Sequence, residues 1–130
     1  MATAPVRRRA LPRLALEDTP SSEVQAFFEQ RANTYVAELL RVKGELLLRE
    51  GASQAATAAE EHFLRSLDWA RRQGALSWEL RTSTSLARLQ HDQGRINEAH
   101  SLLQPVYDRF SEGFETADVK TAKAYLDSWQ

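Results

Sequence analysis

The sequence predicts an all-α protein, a right-handed stack of antiparallel helix pairs with no sheet. Three observations carry this. From about residue 21 onward apolar residues recur at three- and four-residue spacing, with no sustained two-residue alternation. Glycines at 51, 74, 94 and 113 fall where the periodic stretches stop. Residues 77–94, SWELRTSTSLARLQHDQG, read as one amphipathic helix around which the rest is organised. Ser77 is the expected cap, since its hydroxyl can accept from a free N–H of the first turn. Gly94 suits the far end, where the residue after the helix often needs positive φ. Trp78, Leu86 and Leu89 flank the small Ala87.

A chain of 130 residues is enough for one core. The net charge of −1 argues against a chain built chiefly to hold nucleic acid or a membrane surface. The charge is uneven, however. Arg7, Arg8, Arg9 and Arg13 lie in the first 16 residues without an acid. Removing those four from the total of 17 leaves 13 basic against 18 acidic residues, a charge of −5. With no cysteine there is no disulfide framework and no thiolate zinc site. No apolar run approaches the ~18 residues of a spanning helix, and Pro12 and Arg13 interrupt any signal-peptide core. A cytoplasmic protein is expected.

Residues 1–20, broken by Pro5, Pro12 and Pro20, read as a flexible Arg-rich arm ahead of a helical domain over 21–130. Residues 21–35 form a helix or helix extension, with Val24, Phe27 and Phe28 on one core-facing side. Residues 35–50 form the next, with Leu39, Leu40, Leu46 and Leu47. Its interior Gly44 costs ~1 kcal/mol against alanine, which points to close helix approach. After a small, polar loop over 52–58, residues 59–73 carry Phe63, Leu67 and Ala70 on one stripe. Residues 95–110 carry Ile96, Ala99, Leu102, Leu103 and Val106, with Pro105 expected to kink the helix. Thr116 caps a last helix bearing Val119, Ala122 and Leu126, with Phe114 placed as a staple.

Two degenerate repeats emerge. Gly44 aligns with Ala87 and Gly51 with Gly94 at a spacing of 43, while Ala59 aligns with Ala99 and Phe63 with Leu103 at a spacing of 40. This pattern resembles the tetratricopeptide repeat. That family has a small residue at position eight, a large one at eleven, alanine at twenty and a large or aromatic residue at twenty-four. Gly44, Leu47, Ala59 and Phe63 occupy these places in the first repeat, given a three-residue insertion in its turn. Ala87, Ala99 and Leu103 occupy them in the second, with Gln90 where a large apolar residue is usual. The proline that follows the second helix in the family is missing from both. Since about three repeats are needed for stability, residues 21–35 and 116–129 are expected to pack as caps.

A more specific resemblance covers about residues 35–129. The strings AELLRVKGELLLREG, SWELRTSTSLARLQHDQG and EGFETADVKTAKAYLD are similar to the C-terminal helical repeats of large bacterial signalling ATPases. Those proteins often carry a class III nucleotide cyclase or winged-helix domain. The resemblance implies an interaction module without the catalysis of its relatives, because the G-x-x-x-x-G-K-[ST] phosphate loop is missing here.

Searches for chemistry find little. His62, His91 and His100 have no H-E-x-x-H spacing. Glu60 and Glu61 read as solvated helix charges, and there is no G-x-S-x-G. Neither catalysis, cofactor nor metal is expected. In the tetratricopeptide register the concave face is formed by the first helix of each repeat. Glu38, Arg41 and Glu45 lie there in one repeat, and Arg81, Thr84, Arg88 and His91 in the other. Family members that grip a C-terminal carboxylate use Lys and Asn where Arg41 and Glu45 stand, so that activity is not implied. The expected function is a non-catalytic module binding a protein, a peptide or itself. The alternatives are a nucleic-acid contact through the arm and Arg81/Arg88, and a fragment supporting an enzyme whose catalytic domains are on another chain.

Overall fold

The structure is a computed structural model and describes residues 22–130. The Arg-rich arm lies outside the described residues. Among them are five α-helices and no strand: α1 Ser22–Glu50, α2 Ala55–Arg72, α3 Leu76–Asp92, α4 Ile96–Asp108 and α5 Ala117–Ser128. The chain divides into two units, Met1–Arg31 and Ala32–Gln130. The described part of the first is helical, with Val24 and Phe27 exposed rather than in a core as expected. The side chain of Phe28 lies outside the described ones. No boundary falls at Tyr35, because nothing between Ser22 and Gly51 breaks a helix. Helix α2 starts earlier than expected, since Ala55, Ala56, Ala58 and Ala59 are strong helix formers.

In the second unit α3 is the central element. It packs against α2, α4 and α5 and bonds to α1 through side chains. Nine of its 17 residues are buried, and they cover all of it but the side that carries Arg81, Thr84, Arg88 and His91. Leu80 and Ala87 join Ala99, Leu103 and Val106 of α4 and Val119, Ala122 and Leu126 of α5 in one cluster. From another side Leu86 and Leu89 join Ala59, Phe63 and Leu67 of α2. Helix α1 closes on α2 at Gly44, where a Cβ would stand 2.5 Å from the Phe63 ring. Only the lack of a side chain lets the aromatic ring lie against the α1 backbone.

Polar groups inside the unit are specific. The Ser66 hydroxyl of α2 donates to the Ala37 carbonyl of α1 at 2.6 Å and lies 2.8 Å from the Thr82 hydroxyl of α3. Because the one proton of Ser66 goes to α1, Thr82 is the donor in the second bond. The buried Glu79 holds Arg71 at 3.2 Å and Arg109 at 2.9 Å, which ties the starts and ends of three helices together.

The turns explain one misplaced cap. After α3, Gly94 at φ 82° donates to the His91 carbonyl and Arg95 to the Gln90 carbonyl, a Schellman ending. After α2, Gly74 and Ala75 repeat this with Arg71 and Ala70. Ala75, the last residue of that motif, is also the residue before α3. Ser77 therefore falls inside the first turn and caps nothing. Thr116 does cap α5, accepting from the Val119 N–H. Helix α4 runs on past Pro105 to Asp108. Phe114 lies edge-on to Tyr107 of α4.

Candidate partner-binding face

Six of the seven residues singled out in the sequence come together along α1 and α3. Arg41 bonds Glu38 through two nitrogens, each at 2.8 Å. Arg81 donates to Glu38 at 3.0 Å, and Arg88 to Glu45 at 2.5 Å. Both contacts between the helices span 43 residues. Two contacts at one offset, with the higher numbers rising together, mean that α1 and α3 run parallel. Between them Ser85 donates to Glu45 at 2.8 Å and lies 3.4 Å from an Arg41 nitrogen.

Helix α5 extends the same face. Arg81 also grips Asp118, at 2.7 Å, across 37 residues. Tyr125 stands beside Arg88 at the same offset. The result is a ladder of two rungs over three helices, Glu38–Arg81–Asp118 and Glu45–Arg88–Tyr125. Trp78 adds its ring below Arg81, 5.1 Å from the guanidinium carbon. His91 sits one turn beyond the second rung, stacked on Trp129 with ring centroids 4.8 Å apart. Trp129 in turn stacks on Tyr125.

The electrostatics follow from this pairing. Burial would raise the Glu38 carboxyl, but Arg41 and Arg81 outweigh it and hold the group below its ordinary value. Arg81 is held more firmly charged by Asp118 first, then by Glu38 against the effect of burial. Burial works against the charge on Arg88, yet Tyr125 and Glu45 raise it overall. Three arginines face three carboxylates, so the face is neutral. The positive charge of Arg81 and Arg88 on this side of α3 is matched by carboxylates of α1 and α5.

Two clefts open on this face. One of about 330 Å³ lies between Arg41 and Glu45, the α3 residues Arg81, Thr84, Ser85 and Arg88, and the α5 residues Asp118, Thr121 and Tyr125. A larger one of about 950 Å³ shares Arg41, Glu45 and Arg88 but is mostly apolar beyond them, with Val42, Leu46 and Leu48 of α1, Ala56 of α2 and Leu89 of α3. Thr84 turns its hydroxyl back to the Leu80 carbonyl and leaves its methyl group at the first cleft.

No family model, curated protein or solved structure matches this chain. The face is thus read from its own geometry. Among the described residues no three His, Cys, Asp or Glu side chains gather as a metal-ligand group, and no helix is long and apolar enough to cross a membrane. What the arrangement offers is a grooved surface of hydroxyls, aromatic edges and compensated charges, bordered by an apolar cleft. Sequence reasoning missed Ser85, Asp118, Thr121, Tyr125 and Trp129. For Asp118 a signal existed, an acid in the first turn of a capped helix, but nothing in the sequence aims it at Arg81.

Proposed function

We propose that this chain is a non-catalytic, cytoplasmic interaction module, a right-handed tetratricopeptide-like stack of two helix pairs closed by α5. It holds a protein or peptide partner along the α1–α3–α5 face. The observation that carries the reading is the offset of 43 residues. It relates Gly44 to Ala87 as repeat positions in the sequence, and it is also the offset at which Glu38 meets Arg81 and Glu45 meets Arg88. A repeat of helix pairs brings its first helices side by side in parallel, as α1 and α3 are. The similarity to the repeat tails of bacterial signalling ATPases fits a role in joining signalling domains, with the chemistry done by other domains and no cofactor bound here.

A nucleic-acid role through Arg81 and Arg88 has less support. Phosphate binding depends on cations free to displace counterions, and both of these arginines already have carboxylate partners.

The test is affinity capture from the native host with three baits: the parent, Thr84→Arg and Leu64→Glu. Thr84→Arg adds bulk and charge in the smaller cleft without removing a rung. Leu64 is exposed on α2. A partner held by the parent and by Leu64→Glu but lost with Thr84→Arg supports the face. Identical capture by all three would dismiss it. A labelled oligonucleotide titrated at rising salt covers the alternative, and tight, steeply salt-dependent binding would favour that one instead.

A further inference from the structure

We propose that the outer stripe of α1 is a self-association surface, on which a second copy of this chain docks antiparallel about a two-fold axis. The stripe adjoins the partner-binding face, since Val42 and Leu46 also line its larger cleft, but the proposal rests on the exposed side of α1 and not on a partner held in that face.

Helix α1 buries Ala37 and Gly44 against its own unit, Ala37 bonded by Ser66 and Gly44 against Phe63. Leu39 and Val42 are each two residues away from those positions, about 200° round a helix, and so lie on the opposite side. With Tyr35 and Leu46 they form a continuous stripe, exposed by 63% at Tyr35, 67% at Leu39, 37% at Val42 and 52% at Leu46. That amounts to roughly 450 Å² of mainly apolar surface, the size of patch that on a monomer usually has a use. A stable complex buries about 800 Å² per partner, of which roughly 60% is apolar, so the stripe has about the apolar area one side of a dimer needs. The other end of the unit has no such surface. The exposed positions of α5 include Lys120, Thr121, Lys123 and Asp127.

The spacing suits this arrangement. From Tyr35 to Leu46 the steps are four, three and four, the same in either direction. In a two-fold contact residue i meets j while j meets i. An axis between Leu40 and Arg41 sets Tyr35 on the partner's Leu46 and Leu39 on the partner's Val42. A parallel pair would instead place Glu45 beside the partner's Glu50, offset in part by Glu38 beside the partner's Lys43. The antiparallel pair brings Glu38 near the partner's Glu45, and both of these are already compensated within their own chain by Arg41, Arg81 and Arg88.

The experiment is multi-angle light scattering of the full chain over a wide concentration range, with circular dichroism on every variant. The mass should rise towards twice 14.7 kDa. Leu46→Glu and Leu39→Glu should hold it at one chain with helix content unchanged, while Leu64→Glu on α2 leaves the dimer intact. The chain has no cysteine, so cross-linking gives a clean second readout. A mixture of Tyr35→Cys and Leu46→Cys chains should form the mixed disulfide. Tyr35→Cys alone should not, because two copies of that position would lie about 16 Å apart along the helices, beyond the reach of a disulfide. A monomer at every concentration, a dimer that survives Leu46→Glu, or self-cross-linking of Tyr35→Cys would each overturn the proposal.

Discussion

Gly44 with Phe63 and Ala87 with Leu103 are the same join made twice. In both, a small residue on one helix meets a large one on the next. In the first a Cβ on Gly44 would collide with the ring, at 2.5 to 3.0 Å. In the second a methyl group is accommodated, in one cluster with the smaller Leu103. The helix approach depends on the two side chains taken together and not on either alone. A glycine that is costly in a helix interior is thus explained by an aromatic residue 19 positions away.

The comparison can be broken most severely by deleting the large partners. Phe63→Ala should cost ~3–5 kcal/mol, because Gly44 has no atoms with which to fill the cavity. Leu103→Ala should cost less, ~2–4 kcal/mol, since Ala87 and the α5 residues line the space. Urea denaturation of both would measure this, and a larger loss at Leu103 would contradict the pairing. Overfilling is the next largest effect. Ala87→Leu should destabilise by ~1–3 kcal/mol and by more than Thr84→Leu, because Ala87 is wholly buried whereas Thr84 borders a cleft. Equal denaturation midpoints for the two would show that Ala87 is not a close-contact position.

A swap sharpens the comparison further. Gly44→Ala gains up to ~1 kcal/mol of helix propensity but meets the Phe63 ring, so it should destabilise on balance. Adding Phe63→Leu recreates the second join in the first position. The double variant should therefore be more stable than the sum of its single changes, by about 1 kcal/mol in a double-mutant cycle. Strict additivity would mean that the two residues do not sense each other.

The smallest effect is in the ladder. The carboxyl of Glu38 titrates below its ordinary 4.5 in the folded chain. A lowered folded value means that the unfolded chain binds the proton more tightly. The stabilisation by Glu38 is therefore complete above about pH 5 and is lost as pH falls through 4.5 and below. Melting temperature against pH should fall less steeply from 5 to 3 for Glu38→Gln than for the parent. Parallel profiles would remove Glu38 from the acid response.

What could be read from the sequence was whatever local periodicity encodes. Helix α3, its glycine ending, the Thr116 cap and the 43-residue spacing all follow from patterns within a few turns or from comparing two such patterns. The site was half legible for the same reason. Glu38, Arg41, Glu45, Arg81, Thr84 and Arg88 share a face because each lies at a fixed angle on its own helix. Their charge balance was not legible, because Asp118 reaches Arg81 from a helix 37 residues on. Nor was the register of α2, which depends on Ser66 finding a carbonyl of α1. The Ser77 cap failed because two turns share a residue, a crowding that appears only when one helix end and the next helix start are placed together.

The hydroxyl pair of Ser66 and Thr82 has a consequence for how the unit breathes. It joins α1, α2 and α3 at one buried point, and a slide of any of the three by a turn would strand a hydroxyl away from water. Intermediate positions are therefore costly while the native one is satisfied, so the bond acts as a detent against sliding. Local opening that exposes this point must free three helices at once. Their central amides should then exchange with solvent deuterium at a common rate, set by one cooperative event, while the ends fray independently.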